Sequence, residues 1–389
     1  MSDVSAIENK LVYLDNNATT KCRTEVVEAM IPYLNGVFGN TESPHIIGRQ
    51  ASRAVERSRE EIAELLGARP FEIFFTSGAT ESNNYIFQSY VRTAGVRRKI
   101  AVSAIEHKSI LKAAESLSKL GFEVVTLPVS PNGVVDVAKV RTLVDSGVGL
   151  VSVMHSNNET GVLQPIDELA EIAHEIGAFF HCDAVQSLGK VELNMADAGI
   201  DSAVFSAHKV HGPKGVGIMY CKGGVSKFSF ETALHGGGQE MGLRPGTVNV
   251  PAIVGMAKAL RLALTELDEA NARMSALRDR LEKAIVSEFP ECIVFGKDAE
   301  RLCNTLDVSF PGIPSDMLIA NLQQVCIGTG SACNSREVAP SHVLLAMGIP
   351  ADTARGAVRF SLSGEDTPAD IEFAISEVLR VVNLLKEAL

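Results

Sequence analysis

The 389-residue chain lacks the features that mark membrane-spanning, exported and zinc-binding proteins. No apolar run reaches the roughly 18–20 residues that cross a bilayer, and no N-terminal stretch joins a basic region to an apolar core, which predicts no signal peptide. The seven cysteines include no CxxC pair, and the histidines show no metal-ligand spacing. We therefore expect reduced thiols in a cytoplasmic protein with no bound metal, no disulfide framework and no membrane contact.

An excess of basic residues is also missing. The chain has 47 acidic residues against 36 Lys and Arg, which gives a formal net charge of −11. This balance argues against direct nucleic-acid binding and suits a positively charged partner surface. The composition is otherwise that of an ordinary folded protein, 46% hydrophobic and 21% charged, and the length allows one or two domains.

Short apolar runs alternate with segments of helical period up to about residue 220. The candidate strands are residues 72–75, 100–103, 123–127, 150–154, 178–182, 203–206 and 216–220, and the candidate helices lie near 82–94, 109–120 and 166–176. This alternation predicts an α/β domain around a mainly parallel sheet. In such sheets, ligands bind at loops that leave the carboxyl ends of strands.

The pattern changes from residue 251 onward. Residues 251–289 carry almost no turn signal and a helical apolar pattern, which predicts one long helix or a kinked pair. Later apolar runs and a final helix near 369–389 predict a smaller α+β domain; the runs are 306–310, 325–327 and 358–362. We therefore expect a large domain over residues 17–258 and a small domain formed by 1–16 and 259–389.

Two predicted strand ends carry groups that suit a phosphate. The sequence FTSGATES at residues 75–82 follows a strand and opens a helix, where free N–H groups and a partial positive charge favour an anion. Ser77 and Thr80 add hydroxyl donors, and Ser206 and His208 leave another strand end. The alternative is an ordinary capped turn that binds nothing.

Lys209 and Cys333 point to a particular chemistry. Lys209 follows an apolar run in SAHKVHGPKG at residues 206–215, and its amine can hold an aldehyde cofactor as a Schiff base. Cys333 lies in the small-residue sequence GSAC, which can expose a thiol that attacks sulfur. Together they predict a pyridoxal phosphate (PLP) enzyme that moves sulfur. The alternatives are an exposed loop lysine at 209, or the nearby Lys214 as the reactive amine.

Three further side chains suit such a cofactor. Asp183 follows the apolar run 178–182, and a buried carboxylate there needs a cationic partner such as a protonated pyridine nitrogen. Gln186 could donate toward the phenolic oxygen of the ring. His107 leaves another strand end, and its imidazole could stack on the ring and exchange protons near neutral pH. The alternative for Asp183 is a helix cap or a satisfied core carboxylate, and the alternative for His107 is a surface or capping position.

Asn158 and Arg359 suit a substrate carboxylate. Asn158 follows the predicted strand 150–154, where its amide could bond to cofactor or substrate, although turn formation would also explain it. Arg359 is a charge inside the apolar run 358–362 and needs an anion, for which a carboxylate gives a bidentate match. A structural salt bridge to a glutamate is the alternative.

These residues coincide with the motifs of a known family. The chain resembles the cysteine desulfurases, and more closely the group that feeds nitrogenase and housekeeping iron–sulfur assembly. The shared motifs run in the same order from about residue 11 to the C-terminal helix: YLDNNATT at 13–20, FGN at 38–40, TSGATES at 76–82, EHK at 106–108, NNE at 157–159, HCDAVQ at 181–186, SAHK at 206–209, HGGGQE at 235–240, GT at 246–247 and GSAC at 330–333. The resemblance implies a type I PLP-dependent fold, with a mainly parallel seven-stranded sheet and a smaller α+β domain. It also implies a homodimer with its sites at the subunit interface.

The resemblance also implies a role for each matching residue. Lys209 would carry PLP, Asp183 would pair with the ring nitrogen, His107 would stack on the ring and Gln186 would bond to the ring oxygen. The phosphate would be held by Ala79 through its backbone, Thr80, Ser206 and His208, with Thr247 from the partner subunit. Asn158 and Arg359 would meet the carboxylate of L-cysteine, and Cys333 would accept its sulfur as a persulfide.

The sequence departs from the family pattern at a few positions without losing a reactive group. Ala207 replaces a frequent glycine and Pro245 a frequent serine, so loop geometry near the phosphate is affected more than reaction type. Alternative activities are a selenocysteine or cysteine-sulfinate lyase and an aminotransferase of the same fold. The sulfur acceptor is left open between an iron–sulfur scaffold, a tRNA-thiolation protein and a DNA-modification partner.

Overall fold

The computed structural model describes residues 10–330 and 339–388, so Cys333 lies outside the described residues. Its strands, in chain order, are β1 (Val12–Leu14), β2 (Ile73–Thr76), β3 (Lys99–Ser103), β4 (Glu123–Leu127), β5 (Val148–Ser152), β6 (Phe179–Asp183), β7 (Ser202–Ser206), β8 (Gly217–Cys221), β9 (Ile293–Val294), β10 (Thr305–Ser309), β11 (Val325–Ile327) and β12 (Ala357–Ser361).

Helices surround these strands. They are α1 (Thr24–Met30), α2 (Pro32–Asn35), α3 (Ile46–Leu65), α4 (Ala79–Arg92), α5 (Lys108–Ser118), α6 (Val137–Leu143), α7 (Ile166–Glu175), α8 (Val250–Thr265), α9 (Leu267–Glu288), α10 (Ser315–Asn321), α11 (His342–Ala346), α12 (Ala351–Arg355) and α13 (Pro368–Ala388). No helix within the described ranges has the length and apolar character needed to cross a membrane.

The main sheet of the described chain is seven-stranded, in the order β2-β8-β7-β6-β5-β3-β4. Strand β8 runs antiparallel to both of its neighbours, and the pairs from β7 through β4 are parallel. Each of the seven runs predicted before residue 221 contributes one strand, so the predicted α/β fold with a mainly parallel sheet is confirmed. The largest shift is at β5, because Val153 and Met154 continue the buried apolar run beyond the last paired residue.

Alternate residues of the strands enter two cores on opposite faces of the sheet. Phe75 and Ile218 pack in one core with residues of α3, α7 and α8. Phe74 and Met219 pack in the other with residues of α4 and α5. Side chains alternate between the faces along a strand, and helices cover both faces. Most residues of the seven strands are therefore buried, except in the edge strand β4, where only Leu127 is.

A third core gathers the C-terminal part of the chain. Val12 and Leu14 of β1 pack there with residues of α9, β10, β12 and α13. Helices α8 and α9 meet at Glu266, so of the two forms predicted for residues 251–289, one long helix or a kinked pair, the structure has the pair. The division into residues 17–258 and 1–16 with 259–389 stays our proposal, which this third core supports.

Candidate active site

A cavity of about 680 Å³ opens at the carboxyl edge of the seven-stranded sheet. It lies where β2, β3, β5, β6 and β7 end, which is the edge predicted for ligand binding. Ten of the residues predicted to bind cofactor or substrate line it: Ala79, Thr80, His107, Asn158, Asp183, Gln186, Ser206, His208, Lys209 and Arg359. The structure therefore brings together side chains that come from widely separated parts of the sequence.

One end of the cavity is formed by the start of α4. Gly78 precedes this helix with φ 150° and provides no side chain to cap the N–H groups of the first turn. A Cβ atom placed on Gly78 would lie 3.8 Å from the Ser206 hydroxyl, so the two loops face the same space. A Cβ atom on Gly217 would lie only 2.7 Å from the Cα of Gly78, so glycine is needed at 217 for this approach. Uncapped N–H groups at a helix N-terminus beside a hydroxyl form a cradle that suits a phosphate.

Lys209 extends from the turn after β7 into the middle of the cavity. Its Nζ donates hydrogen bonds to the carbonyl oxygens of Asn17 and Ala18, at 2.6 and 2.7 Å. Burial, together with the positive charges of Arg359 and Lys190, lowers the pKa of the amine to about 7. A substantial fraction is therefore the neutral nucleophile near neutral pH. Lys214 also lines the cavity, but its side chain is exposed.

Asp183 ends β6 and is 5% exposed. Its Oδ2 accepts a hydrogen bond of 2.9 Å from Asn83, and its Oδ1 accepts one of 3.1 Å from the backbone N–H of Val185. Asn83 in turn accepts a 2.9 Å hydrogen bond from Nε2 of His181, whose Nδ1 lies 2.8 Å from the Ser202 hydroxyl. Burial lowers the pKa of His181 to about 3, so the ring is neutral. This buried chain fixes the carboxylate at the floor of the cavity.

His107 caps the N-terminus of α5. Its Nδ1 accepts a hydrogen bond of 3.1 Å from the backbone N–H of Ser109, which places the proton of a neutral ring on Nε2. Burial lowers the pKa of His107, Lys209 and Lys108 lower it further, and Asp183 opposes this shift. The imidazole is therefore neutral at pH 7 and occupies a fixed position on the cavity wall. His107 therefore caps a helix, as the alternative prediction held, and it also lines the cavity.

Gln186 and Arg359 retain buried polar atoms that the protein does not satisfy. Gln186 donates from Nε2 to the carbonyl oxygen of Asn17 at 3.0 Å, while its Oε1 has no hydrogen-bond partner among the described residues. Arg359 donates to the carbonyl oxygen of Asn158 at 2.9 Å and to Asp15 at 2.6 Å, and within the same ranges its Nε has no partner. Buried polar atoms are normally paired, so orphans beside a cavity indicate a polar ligand.

Two predicted residues are not placed in this cavity. Thr247 is exposed and does not line it, as expected of a residue that would reach a partner subunit, and that role stays a prediction. Cys333 belongs to the undescribed residues 331–338. In the described part of the chain, no three His, Cys, Asp or Glu side chains are grouped so as to hold a metal ion.

Three of the lining residues that had no predicted site role contribute to the cavity in the structure. Asn17 supplies the carbonyl oxygen that Lys209 and Gln186 share, Glu159 is 2% exposed at the cavity wall, and His342 donates from Nε2 to the carbonyl oxygen of Glu106 at 3.0 Å. Asn17 and Glu159 lie within the motifs YLDNNATT and NNE. His342 carries no motif signal, because its place is set by contacts more than 200 residues away in sequence.

The residues present fit PLP. An amine poised between its two protonation states can link to an aldehyde, the buried carboxylate of Asp183 can pair with a ring cation, and the start of α4 can take the phosphate. Oε1 of Gln186 can still accept a hydrogen bond, and Nε of Arg359 can still donate one, so both are available to the polar atoms of a bound ligand.

The comparisons with known proteins agree with this geometry. Residues 12–373 match the aminotransferase class-V family. The chain is 41% identical to a cysteine desulfurase of Nostoc sp. strain PCC 7120, with 97% of this chain and 94% of the relative aligned. It is also 41% identical to the cysteine desulfurase IscS of Methanosarcina thermophila, over 97% and 94% of the two chains.

Solved structures extend the likeness to three dimensions. A NifS-like protein superposes with a TM-score of 0.90 at 39% identity, covering 96% of this chain and all of the other. DndA from Streptomyces lividans superposes with a TM-score of 0.76 at 38% identity, covering 90% and 99%. The chain therefore belongs to the aminotransferase class-V family of PLP-dependent enzymes, in its cysteine desulfurase branch.

Proposed function

We propose that the protein converts L-cysteine to L-alanine and holds the released sulfur as a persulfide on Cys333. The observation that carries this proposal is the single cavity that gathers the Lys209 amine, the Asp183 carboxylate and the Arg359 guanidinium. The sequence adds a thiol at Cys333 in GSAC, close in sequence to Gly330 on the cavity wall.

The protein side chains divide the work of binding. Lys209 would hold the cofactor through Nζ, Asp183 would face its ring nitrogen, and His107 would lie against its ring. The phosphate would be held by Ala79, Thr80, Ser206 and His208, and Gln186 would meet the ring oxygen. Bound PLP supplies an electron sink that stabilises negative charge at the substrate Cα.

Arg359 and Asn158 would orient the substrate by its carboxylate, with Arg359 as the charged donor. The neutral Nζ of Lys209 would then take the Cα proton, for which a pKa of about 7 is well matched. The Cys333 thiolate would attack the substrate sulfur as the Cβ–S bond breaks, and a proton would complete the methyl group of alanine. One cysteine and one thiol give one alanine and one persulfide, so the step needs no outside oxidant or reductant.

The test is a comparison of Cys333→Ala with the wild-type protein. The variant should bind PLP and respond spectrally to L-cysteine, while alanine release under reducing conditions falls to background. Cys326→Ala, the nearest other cysteine in sequence, is the control and should keep its activity. Wild-type alanine release by Cys333→Ala would refute the proposal, and pyruvate in place of alanine would favour an aminotransferase.

A homodimer is the second part of the proposal. A row of four exposed apolar side chains runs along the sequence from α1 through α2 into the loop after it: Val27, Ile31, Leu34 and Phe38, with Leu34 65% and Phe38 71% exposed. Exposed apolar side chains grouped in this way are typical of a protein–protein interface. The exposed Thr247, outside the cavity of its own chain, would then reach the phosphate of the partner subunit. Sedimentation at micromolar concentration should give twice the mass of the 41.5 kDa chain.

The sulfur acceptor is the third part. We expect an iron–sulfur scaffold, a thiolation protein or a DNA-modification partner with a positively charged docking face, because the net charge is −11. We also propose a cytoplasmic location, since the six cysteines of the described residues are all free. Capture of the persulfide form from its own cell extract, with mass identification of the sulfur-labelled partner, would distinguish the three acceptors.

A further inference from the structure

Arg59 and Glu240 form a buried ion pair at the edge of the main sheet. Arg59 donates from Nη2 to Oε1 of Glu240 at 2.8 Å and from Nη1 to Oε2 at 2.9 Å, and the two residues are 4% and 6% exposed. Arg59 lies in α3, whereas Glu240 lies on the connection between β8 and α8. The pair is therefore a bidentate bond between two parts of the chain that are distant in sequence.

The ion pair also hydrogen bonds to β2, which is an edge strand of the seven-stranded sheet. The Phe75 N–H donates to Oε2 of Glu240 at 2.8 Å, and Nη1 of Arg59 donates to the carbonyl oxygen of Ile73 at 2.6 Å. Both backbone groups lie on the outer side of β2, where no further strand of the described chain pairs with it. The pair therefore attaches residues 239–247, which we call the arm, to the strand that leads into the proposed phosphate cradle.

The backbone of the arm is strained where the ion pair holds it. Glu240 and Met241 have φ of 50° and 54°, in the left-handed region that is unfavourable for residues other than glycine. Two such residues in succession persist only where surrounding contacts over-determine their conformation. The bidentate bond at Glu240 is such a contact, so the ion pair sets the path of the arm.

Two more bonds fix the rest of the arm. Oε1 of Gln239 accepts a hydrogen bond from the Gly246 N–H at 2.9 Å, which joins the beginning of the arm to its end. Arg244 donates from Nε to Oε1 of Glu81, in the first turn of α4, at 2.7 Å. Thr247 follows Gly246 directly and is exposed. The arm is therefore tied to β2 and α4 and presents Thr247 to the outside of its own subunit.

We propose that Arg59 and Glu240 are positioning residues for Thr247, and that their ion pair sets how tightly the partner subunit binds the phosphate of PLP. This inference rests on the proposed homodimer and on the proposed role of Thr247 in it. Neither Arg59 nor Glu240 lines the cavity, so the pair acts through the arm. A donor that is fixed before the ligand arrives binds more tightly than a mobile one, because less conformational freedom is lost on binding.

Mixed dimers test this inference, because the arm and the phosphate that it contacts belong to different subunits. One subunit carries Lys209→Ala and cannot link PLP covalently, so each mixed dimer has a single competent site, in the other subunit. Different affinity tags on the two subunits allow the mixed dimer to be purified. The fraction of competent sites trapped by borohydride is measured over a concentration series of PLP, and again with pyridoxal, which lacks the phosphate.

Glu240→Gln in the Lys209→Ala subunit should raise the half-saturating concentration of PLP by about tenfold, the loss expected for a hydrogen bond to a charged group. The value for pyridoxal should stay within about twofold. Glu240→Gln in the competent subunit, beside a partner with an intact arm, should leave both values near wild type. Adding Glu240→Gln to Thr247→Ala in the Lys209→Ala subunit should have no further effect, because both changes remove the same contact.

Two further variants control for a loss of stability. Glu282→Gln breaks a partly buried ion pair between α9 and Arg301, also at 2.9 Å, and should change neither half-saturating concentration. Gln239→Ala frees the Gly246 end of the arm without leaving a buried charge unpaired. It should show the same loss across the dimer, so the inference can be tested even if Glu240→Gln does not fold.

The opposite results contradict the inference at different points. A loss that is equal in both arrangements, or confined to Glu240→Gln in the competent subunit, would overturn it and show that the pair supports its own phosphate cradle through β2. An equal loss for pyridoxal would overturn it as well, since the effect would not involve the phosphate.

Thr247→Ala separates this inference from the proposals on which it rests. Wild-type loading across the dimer in Glu240→Gln, together with a defect in Thr247→Ala, would overturn the role of the ion pair alone. Wild-type loading in Thr247→Ala would also overturn the proposed contact of Thr247 with the partner subunit. Persulfide formation on Cys333 in the wild-type protein tests the desulfurase proposal independently of all these results.

Discussion

Arg359 and Asp15 form an ion pair, with 2.6 Å between Nη2 of the guanidinium and Oδ1 of the carboxylate. The pair sits over Gly328, where a Cβ atom would overlap Asp15 and lie 2.8 Å from Nη2 of Arg359. The backbones of Gly328 and Arg359 also exchange two hydrogen bonds, at 3.0 and 2.7 Å. Asp15 does not line the cavity, so it holds the guanidinium from behind and leaves other donors of Arg359 for a ligand.

This arrangement predicts a binding defect in Asp15→Asn. The amide keeps an acceptor but loses the charge, so Arg359 should lose its fixed orientation and the KM for L-cysteine should rise about tenfold, as expected for a weakened charge-assisted bond. The kcat should change much less, because the reacting atoms are held by other residues.

Steady-state kinetics with L-cysteine gives the measurement. Asp352→Asn is the matched control, since Asp352 pairs with Arg355 at the same 2.6 Å but on the surface. An unchanged KM in Asp15→Asn, or a fall in kcat alone, would show that Asp15 does not orient Arg359.

Loading of the cofactor-free protein should depend on pH through Lys209. Burial lowers the pKa of this amine to about 7, and only the neutral amine adds to an aldehyde. The rate of covalent PLP loading should therefore rise as pH increases from 6 to 8 and level off above that, whereas an ordinary lysine with a pKa of about 10.4 would show a rise extending past pH 9.

Borohydride trapping at each pH, followed by peptide mass analysis, measures this rate and identifies the lysine. Lys209→Ala should give no labelled active-site peptide. Labelling of Lys214 instead would overturn the assignment of the reactive amine.

Much of the fold and part of the site could be predicted from the sequence, for a local reason. Strands such as β7 are buried along their whole length, so each appears as a continuous apolar run, and the polar residue at its end marks the ligand edge. The sequence indicates Asp183 and Lys209 as site residues in this way, because each lies at or just after the end of a buried strand. The family motifs supplied the roles that the local pattern left open.

The contacts that support the site could not be predicted in the same way. Asp15 and Arg359 are 344 positions apart, and Glu159 and Ser341 are 182 apart. No local period or spacing links such residues, because their meeting depends on tertiary packing. Asp15 follows β1 and Arg359 lies in β12, two strands of the third core, whereas Glu159 follows β5 of the main sheet and Ser341 precedes α11. The salt-bridge alternative for Arg359 was therefore correct in kind, but the partner is an aspartate rather than a glutamate.

The apolar row from α1 to the loop after α2 predicts a dimer interface that a charged substitution should weaken. Phe38→Glu places a charge where we propose that a second copy packs, and burial of an unpaired charge opposes association. The dimer dissociation constant should increase by at least tenfold, measured by sedimentation velocity over a concentration series.

Leu120→Glu is the control for this change. Leu120 is 56% exposed and follows α5, away from the row, so the variant should sediment as the wild type does. A stable dimer in Phe38→Glu would place the interface on another surface.

The last prediction concerns the buried support of Asp183. Asn83 donates to Asp183 and Ser109, each at 2.9 Å, and accepts from His181. Asn83→Ala leaves buried polar groups unpaired, which should lower the free energy of unfolding by about 2 kcal/mol. Asp183 would also lose its orientation toward the proposed ring cation, so PLP should bind more weakly as well.

Urea unfolding and equilibrium PLP titration measure the two effects separately. The neighbouring Asn84→Ala is the control. Among the described residues Asn84 donates only to the carbonyl oxygen of Thr80, in an exposed hydrogen bond, so both quantities should stay near wild type. If Asn83→Ala loses stability but keeps its PLP affinity, then the chain from Ser202 through His181 and Asn83 serves the fold alone. If the PLP affinity falls further than the lower free energy of unfolding can explain, then this chain positions Asp183 for the cofactor.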